Sequence, residues 1–184
     1  MQFYLPSDTY QQFEQSRRKG LKLSDELRIE SKVAIGFLLK KQGEKAQNSL
    51  KKAEVLYTDL RSLLEQDPYL YSIGGIQVGT EEFVEAVLLG DYLEGKPLRT
   101  LEELGVQHDA YIGGLCDMSG ELLRFARMNP DQMKQVLDDL EELNQTCLQI
   151  IVTRNGAVRK KLEDLERNMK RMEEMIFQYN LKHV

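Results

Sequence analysis

Apolar residues recur every three or four positions along most of the chain, which is the period of an amphipathic α-helix. The first run predicts a helix that begins near Ser7 and continues to about Lys41. A second predicted helix follows the break at Gly43 and runs to Asp67, where Pro68 ends it. No stretch is typical of a strand. The pattern therefore predicts an all-α fold of long antiparallel helices, and 184 residues suit a single domain over residues 1–184.

Two further predicted helices carry most of the candidate chemistry. The first runs from Gly79 to Gly95 and the second from Asp109 to Asn129. The loop between them is predicted to hold one helical turn that Thr100 caps. A Gly74–Gly75 pair precedes the first of these helices, and it predicts either a break or a point of close packing.

The last part of the chain predicts two more helices. One starts after Pro130 and extends to Val152, and a turn at Arg154–Asn155–Gly156 leads into the other, which runs from Ala157 to His183. The apolar residues of this last helix have a spacing close to that of a coiled coil. Such a helix often docks on a partner subunit, so we expect a homo-oligomer.

Acidic residues occupy positions on two helices where an apolar stripe is expected. Glu82 and Glu85 are one helical turn apart on the first, and Asp117 and Glu121 are one turn apart on the second. The short connection between the helices favours an antiparallel pair. Under that arrangement the four carboxylates meet in one partly enclosed place.

Four clustered carboxylates repel one another unless a cation lies between them. Oxygen ligands without His or Cys favour Mg²⁺ or Mn²⁺, so the pattern predicts a metal site suited to phosphoryl chemistry. The alternative is that the acids form a solvated helix face, which is the commoner meaning of one such pair alone.

Charge is distributed unevenly along the chain. The net charge is +5 for residues 1–52, −13 for residues 53–145 and +3 for residues 146–184. Basic residues are spaced along one flank of the first helix and could bind nucleic-acid phosphates. These residues are Arg17, Arg18, Lys22, Arg28 and Lys32. A solvated surface, or neutralisation of the acidic middle, is the alternative.

Cys116 and Cys147 lie in apolar helical contexts without CxxC spacing. They are therefore predicted to be small buried side chains rather than a disulfide or a zinc site, which favours a reducing compartment. No run of about eighteen apolar residues occurs, and the N-terminus does not resemble a secretory signal. We expect a cytoplasmic protein that does not contact a membrane.

Three motifs resemble the translin/Trax family, specifically its Trax branch. They are EEFVEA at residues 81–86, CDMSGELLR at residues 116–124, and LRIESK at residues 27–32 followed by AIGFLL. The order and spacing of the other predicted helices agree, so the resemblance covers nearly the whole chain. Its most specific part is the pair of acidic motifs, because translin subunits have apolar or neutral residues at these four positions.

The resemblance implies a seven-helix bundle, a hollow octamer-like barrel, and Mg²⁺-dependent endoribonuclease activity on single-stranded RNA inside it. The chain would be the catalytic subunit type of the C3PO endoribonuclease complex, and single-stranded DNA is a second candidate ligand. The motif match carries over Glu82, Glu85, Asp117 and Glu121 as metal and catalytic residues. Arg124 belongs to the same motif, as a phosphate contact or a structural residue. The need for a translin-like partner subunit stays open.

Two other functions compete with this interpretation. All-α Mg²⁺-dependent nucleoside-triphosphate pyrophosphatases combine Glu-Glu-x-x-Glu with Glu-x-x-Asp, and EEFVE satisfies only the first half. The second half here is Asp-x-x-x-Glu, which differs in order and helical phase. The other rival is a non-catalytic RNA-binding or scaffold protein in which the acids serve only in packing.

Overall fold

The computed structural model describes residues 7–150 and 156–182, and within these residues the chain forms seven α-helices and no strand. The helices are α1 (Ser7–Leu39), α2 (Gly43–Gln66), α3 (Gly74–Leu93), α4 (Leu101–Leu104), α5 (His108–Met128), α6 (Met133–Cys147) and α7 (Ala157–Lys182). Short 3₁₀ turns at Pro68–Ser72 and Pro130–Gln132 precede α3 and α6. The prediction of an all-α, seven-helix fold is confirmed. None of the described helices has the length and apolar character needed to span a bilayer.

The turn between α1 and α2 is set by Lys41 rather than by Gly43. Lys41 takes a left-handed backbone conformation with φ 57°, which turns the chain after α1. The Lys41 N–H donates to the Leu38 carbonyl at 3.0 Å, and the Gln42 N–H donates to the Phe37 carbonyl at 3.0 Å. These bonds satisfy carbonyls at the end of α1 that have no partner within the helix. Gly43, the predicted break, instead begins α2.

The predicted turn between the acidic helices is confirmed as α4. The Glu103 N–H donates to the Thr100 hydroxyl at 3.2 Å, and the Thr100 N–H donates to the Glu103 carboxylate at 2.7 Å. This reciprocal capping box satisfies two backbone donors at once. Gly105 ends the turn in a left-handed conformation that favours glycine, with φ 63°.

The helix α3 begins at Gly74, before the predicted start at Gly79. The two glycines predicted as a break lie in its first turn, and Gly75 is a point of close packing. A Cβ placed on Gly75 would lie 2.8 Å from Leu21 Cδ2 of α1. Packing against α1 therefore offsets the poor helix propensity of glycine.

The chain forms two compact units, Met1–Phe83 and Val84–Val184, whose boundary falls inside α3. In the first unit α1 packs against α2, and their buried residues include Leu27, Ala34 and Leu60. A single domain over residues 1–184 stays a prediction.

Gly79 marks a very close approach to α1 within the first unit. A Cβ placed on Gly79 would lie 2.1 Å from Ser24 Oγ and 2.6 Å from the Ser24 carbonyl oxygen. Ser24 is buried, and its hydroxyl donates to the Gly75 carbonyl at 2.8 Å. Only glycine fits at residue 79 without a backbone shift.

The second unit is built around α7, which packs against α5 and α6. Leu165 and Met172 of the predicted coiled-coil stripe are fully buried inside this unit, while Phe177 and Leu181 near its end are exposed. The end of the predicted fifth helix (Ile151, Val152), Arg154 and Asn155 of the predicted turn, and His183 lie outside the described residues.

Candidate functional site

The helix α3 carries Glu82 and Glu85 one turn apart. Residues 83 to 91 of α3 are all buried, and Glu85 is only 8% exposed. Glu82 is half-buried, and its Oε1 lies 3.0 Å from Nζ of Lys32 on α1, within the first unit. An acid in this helix is thus shielded from water, which raises the cost of leaving its charge uncompensated.

The helix α5 carries Asp117 and Glu121, both half-buried. Nζ of Lys161 on α7 donates a hydrogen bond to Asp117 Oδ2, and the two side chains are 25% and 29% exposed. Glu121 Oε2 accepts from Arg124 Nη1 on the same helix at 3.3 Å. The α5 acids are therefore each paired with a basic side chain.

Basic side chains accordingly lie beside three of the four predicted site acids. Within residues 7–150 and 156–182, no three His, Cys, Asp or Glu side chains are grouped in a way that could hold a metal ion.

Lys161 was not anticipated from the sequence. Its pairing with Asp117 joins residues far apart in the chain, and the only sequence signal was the excess of basic residues after residue 146.

A short hydrogen-bonded chain fixes α5 against α7 beside Asp117. The Ser119 hydroxyl donates to the Cys116 carbonyl at 2.5 Å, and Asn168 Nδ2 of α7 donates to Ser119 Oγ at 2.9 Å. Ser119 is completely buried, so an unmade bond there would cost about 1–3 kcal/mol. This polar contact holds the register of the two helices at the predicted site.

Cys116 and Cys147 are both free and buried, in agreement with the prediction. A hydrogen bond with Cys147, together with burial, raises the pKa of the Cys116 thiol well above its usual range. Since the thiolate is the reactive form, Cys116 has no visible role as a nucleophile.

The connection between α3 and α5 is held by a network that the sequence did not reveal. Arg99 Nε and Nη2 donate to the two carboxylate oxygens of buried Asp91 at 3.0 and 3.3 Å. The Tyr111 hydroxyl of α5 donates to the Arg99 carbonyl at 3.0 Å, and burial raises the pKa of Tyr111. An acid and a base joined across a loop have no periodic signature in a sequence.

Most of the predicted RNA-binding residues form ion pairs with nearby acids. The pairs are Arg17–Glu14 at 3.7 Å, Lys22–Glu26 at 3.8 Å, Arg28–Asp25 at 3.4 Å, Lys32–Glu82 at 3.0 Å and Arg124–Glu121 at 3.3 Å. Arg18 is exposed and makes no ion pair with any described residue. Pairs in which both side chains are exposed, such as Lys22–Glu26 and Arg28–Asp25, are weak, about 0–1 kcal/mol each, so they do not prevent these basic side chains from binding phosphates.

The described residues form an all-α protein, and two of its helices carry buried or half-buried carboxylates that make up a candidate acidic site. The chain belongs to the translin family, whose sequence profile matches residues 16–183. The resemblance to the translin/Trax family is thereby confirmed.

Individual relatives agree with this family. The Translin-associated protein X homolog of Schizosaccharomyces pombe is 26% identical over 162 residues, covering 76% of this chain and 69% of that protein. The crystal structure of apo-NeC3PO has a TM-score of 0.86 at 25% identity, covering 96% of this chain and 99% of the other. AfC3PO, solved alone and in complex with duplex RNA, has a TM-score of 0.82 at 23% identity, covering 96% and 95% of the two chains. The AfC3PO similarity shows the fold.

Proposed function

We propose that this protein is a Mg²⁺-dependent endoribonuclease in which Glu82, Glu85, Asp117 and Glu121 are the metal-binding and catalytic residues. The observation that carries the proposal is the presence of a buried acid on α3 and of half-buried acids on α3 and α5 in a chain of the translin family that is similar to a Translin-associated protein X homolog. Carboxylates on a largely apolar helix have no advantage for packing, and so they favour a functional role.

The chemistry of the donor groups, as distinct from their grouping in space, suits the proposed ion. All four groups offer hard oxygen ligands, which Mg²⁺ and Mn²⁺ prefer over nitrogen or sulfur. When bound, such an ion would offset charge on a phosphodiester and lower the pKa of a coordinated water. The proposal is supported by the burial of α3 and by the Ser119–Asn168 contact between α5 and α7, because both hold helices that carry the carboxylates. Lys161 places a positive charge at Asp117, which limits repulsion between acids.

The proposed substrate is RNA, cleaved inside an octamer-like barrel of identical subunits. Support for RNA comes from AfC3PO, which shares this fold and has been solved with duplex RNA. Both single-stranded and duplex RNA therefore belong in the assay, together with single-stranded DNA. Exposed Phe177 and Leu181 on α7 support subunit contacts. Light scattering should give a mass several times that of one chain, and a monomeric mass would contradict the barrel.

The direct test is cleavage of labelled RNA with Mg²⁺, with Mn²⁺, or with EDTA, beside a nucleoside-triphosphate hydrolysis assay. We expect internal cleavage of RNA with either ion, none with EDTA, and no triphosphate hydrolysis. Metal-dependent triphosphate hydrolysis without RNA cleavage would identify the pyrophosphatase alternative instead.

A non-catalytic RNA-binding or scaffold protein is the second candidate. The ion pairs Lys32–Glu82 and Lys161–Asp117 favour it, because each compensates the charge of an acid without a metal ion. RNA binding without cleavage under every metal condition would support this candidate. Loss of helical structure on replacing the acids by amides would point the same way.

A further inference from the structure

A groove in the second unit combines an apolar lining with three basic side chains. It lies between the last turn of α5, the start of α6 and the second half of α7, and its volume is about 580 Å³. Leu123, Met133 and Met175 supply apolar lining, and exposed Arg127, Arg171 and Lys182 supply positive charge. The volume lies within the range of pockets that hold small ligands, about 300–1,000 Å³.

The three cations differ from their neighbours in having no acidic partner. Arg127, Arg171 and Lys182 make no ion pair with any residue in the described part of the chain. By contrast, Arg167 lies 2.7 Å from Asp164, and Lys170 lies 2.6 Å from Glu166. Both of these neighbours are on α7, close to Arg171. One acid, Glu174, lines the groove, so its lining carries an excess of positive charge.

We infer that this groove, which we call the C-terminal groove, binds backbone phosphates of RNA. The inference rests on the proposed function, because it takes RNA as the ligand, and it adds a binding surface separate from the four acids. Two guanidinium groups can each donate two parallel hydrogen bonds to a phosphate. Gln178 also lines the groove and has an amide donor, and the apolar lining suits a ribose or base edge. A concave pocket with unpaired arginines fits a nucleotide unit better than a flat protein contact.

The inference predicts that binding depends on the groove more than on the basic flank of α1. Residues of that flank are mostly paired with acids, so binding a phosphate there exchanges one ion pair for another. Arg127 and Arg171 make no ion pair with a described residue, so binding a phosphate there breaks no existing ion pair. Phosphate contacts should therefore contribute more affinity in the C-terminal groove.

The test is fluorescence anisotropy of a short fluorescein-labelled single-stranded RNA, titrated with full-length protein in EDTA at several salt concentrations. The double variant Arg127→Gln/Arg171→Gln should raise Kd at least about tenfold, since charge-assisted hydrogen bonds are lost. It should also reduce the slope of log Kd against log salt by about 0.7 for each lost contact. Glu174→Gln should tighten binding, by about twofold, because it removes the one acid in the groove.

The matched control is Arg167→Gln, which removes an exposed arginine from the same helix one turn earlier. It should change Kd by less than about twofold, because this arginine does not line the groove. Arg171→Lys keeps the charge but cannot donate two parallel hydrogen bonds, so it should recover only part of the affinity that Arg171→Gln loses. Circular dichroism and light scattering on each variant separate lost binding from lost folding or assembly.

The possible failures are distinguishable. If wild-type protein binds no RNA, the proposed function fails and this inference fails with it. If wild-type protein binds RNA and the double variant binds with the same Kd and salt slope, the inference that the groove binds RNA is overturned, while RNA binding by the protein stands. Should the double variant lose its oligomeric mass but keep its RNA affinity, the three cations serve a protein contact, and the inference is also overturned. Where the double variant does not fold, equal Kd values for Arg171→Gln and wild type overturn it.

Discussion

The helices α3 and α5 both carry a pair of acids, but the surroundings of the two pairs differ. In α3 every residue from 83 to 91 is buried, and Glu85 lies within that run at 8% exposure. In α5 buried positions are mixed with half-buried and exposed ones, and Asp117 keeps 29% exposure beside Lys161. Glu85 is therefore more deeply buried than Asp117, whereas Glu82 resembles Asp117, because each is half-buried beside a lysine from another helix. The two helices thus differ in how deeply they bury an acid, and the more deeply buried carboxylate is the costlier one to leave uncompensated.

The largest expected effect comes from removing one acid of each pair. Glu85→Gln and Asp117→Asn should each lower Mg²⁺-dependent RNA cleavage at least about a hundredfold, since loss of even an outer partner of a metal site costs about 10–100-fold. Cleavage rates and melting temperatures should be measured on the same preparations.

Asp59→Asn, which changes an exposed acid on α2, is the control and should leave the rate unchanged. Variants at Glu85 and Asp117 that keep wild-type rates at saturating Mg²⁺ would refute the catalytic role of both pairs. An equal fall in rate and in folded fraction would instead assign both acids to structure.

The packing of α3 predicts the next effect. Gly79→Ala should lower the free energy of unfolding by about 1–3 kcal/mol, because the new methyl group would overlap the Ser24 backbone and force a shift. Gly36→Ala is the matched control, since a Cβ at that position of α1 meets no atom within 4 Å. The control should be stabilising by about 0.5–1 kcal/mol. Urea denaturation measures both, and equal stability of the two variants would show that the approach at Gly79 is not tight.

The smallest expected effect is a change in Mg²⁺ dependence when either lysine beside a site acid, Lys32 or Lys161, is replaced. Lys161→Met and Lys32→Met should both lower the Mg²⁺ concentration at half-maximal cleavage, because each removes a positive charge that repels the ion. The shift should be larger for Lys161, about two- to tenfold, since Lys161 is 25% exposed whereas solvent screens Lys32 at 60% exposure. Mg²⁺ titrations of the cleavage rate test the order. A larger shift for Lys32 would mean that exposure does not decide the strength of these pairs.

Local signals predicted much of the fold. Apolar periodicity predicted the long helices, because a helix that packs on one face needs apolar residues at that period. Thr100 and Glu103 predicted α4, because a capping box is complete within four residues. The early start of α3 was missed since Gly74 and Gly75 have poor helix propensity, and only their contact with α1 explains the helix there. Lys41 was missed because a left-handed conformation is rare for a residue with a side chain.

The candidate site was predicted in part. Spacing placed Glu82 with Glu85 and Asp117 with Glu121 on helices, since one-turn spacing depends only on the chain itself. The partners of these acids could not be predicted, because Lys32 and Lys161 come from distant helices whose approach is decided by packing. The assignment of the four acids as metal ligands stays a prediction.

The network of Asp91, Arg99 and Tyr111 affects the susceptibility of the folded protein to proteolysis. Lys96 precedes Pro97, a bond that trypsin cleaves poorly, so Arg99–Thr100 is the tryptic bond left in the connection between α3 and α5. Arg99 is tied to Asp91 through its side chain and its backbone N–H, and Thr100 caps α4. Backbone held on both sides of a scissile bond cannot extend into a protease cleft without local unfolding. A segment that looks like a loop should thus resist digestion as a helix does.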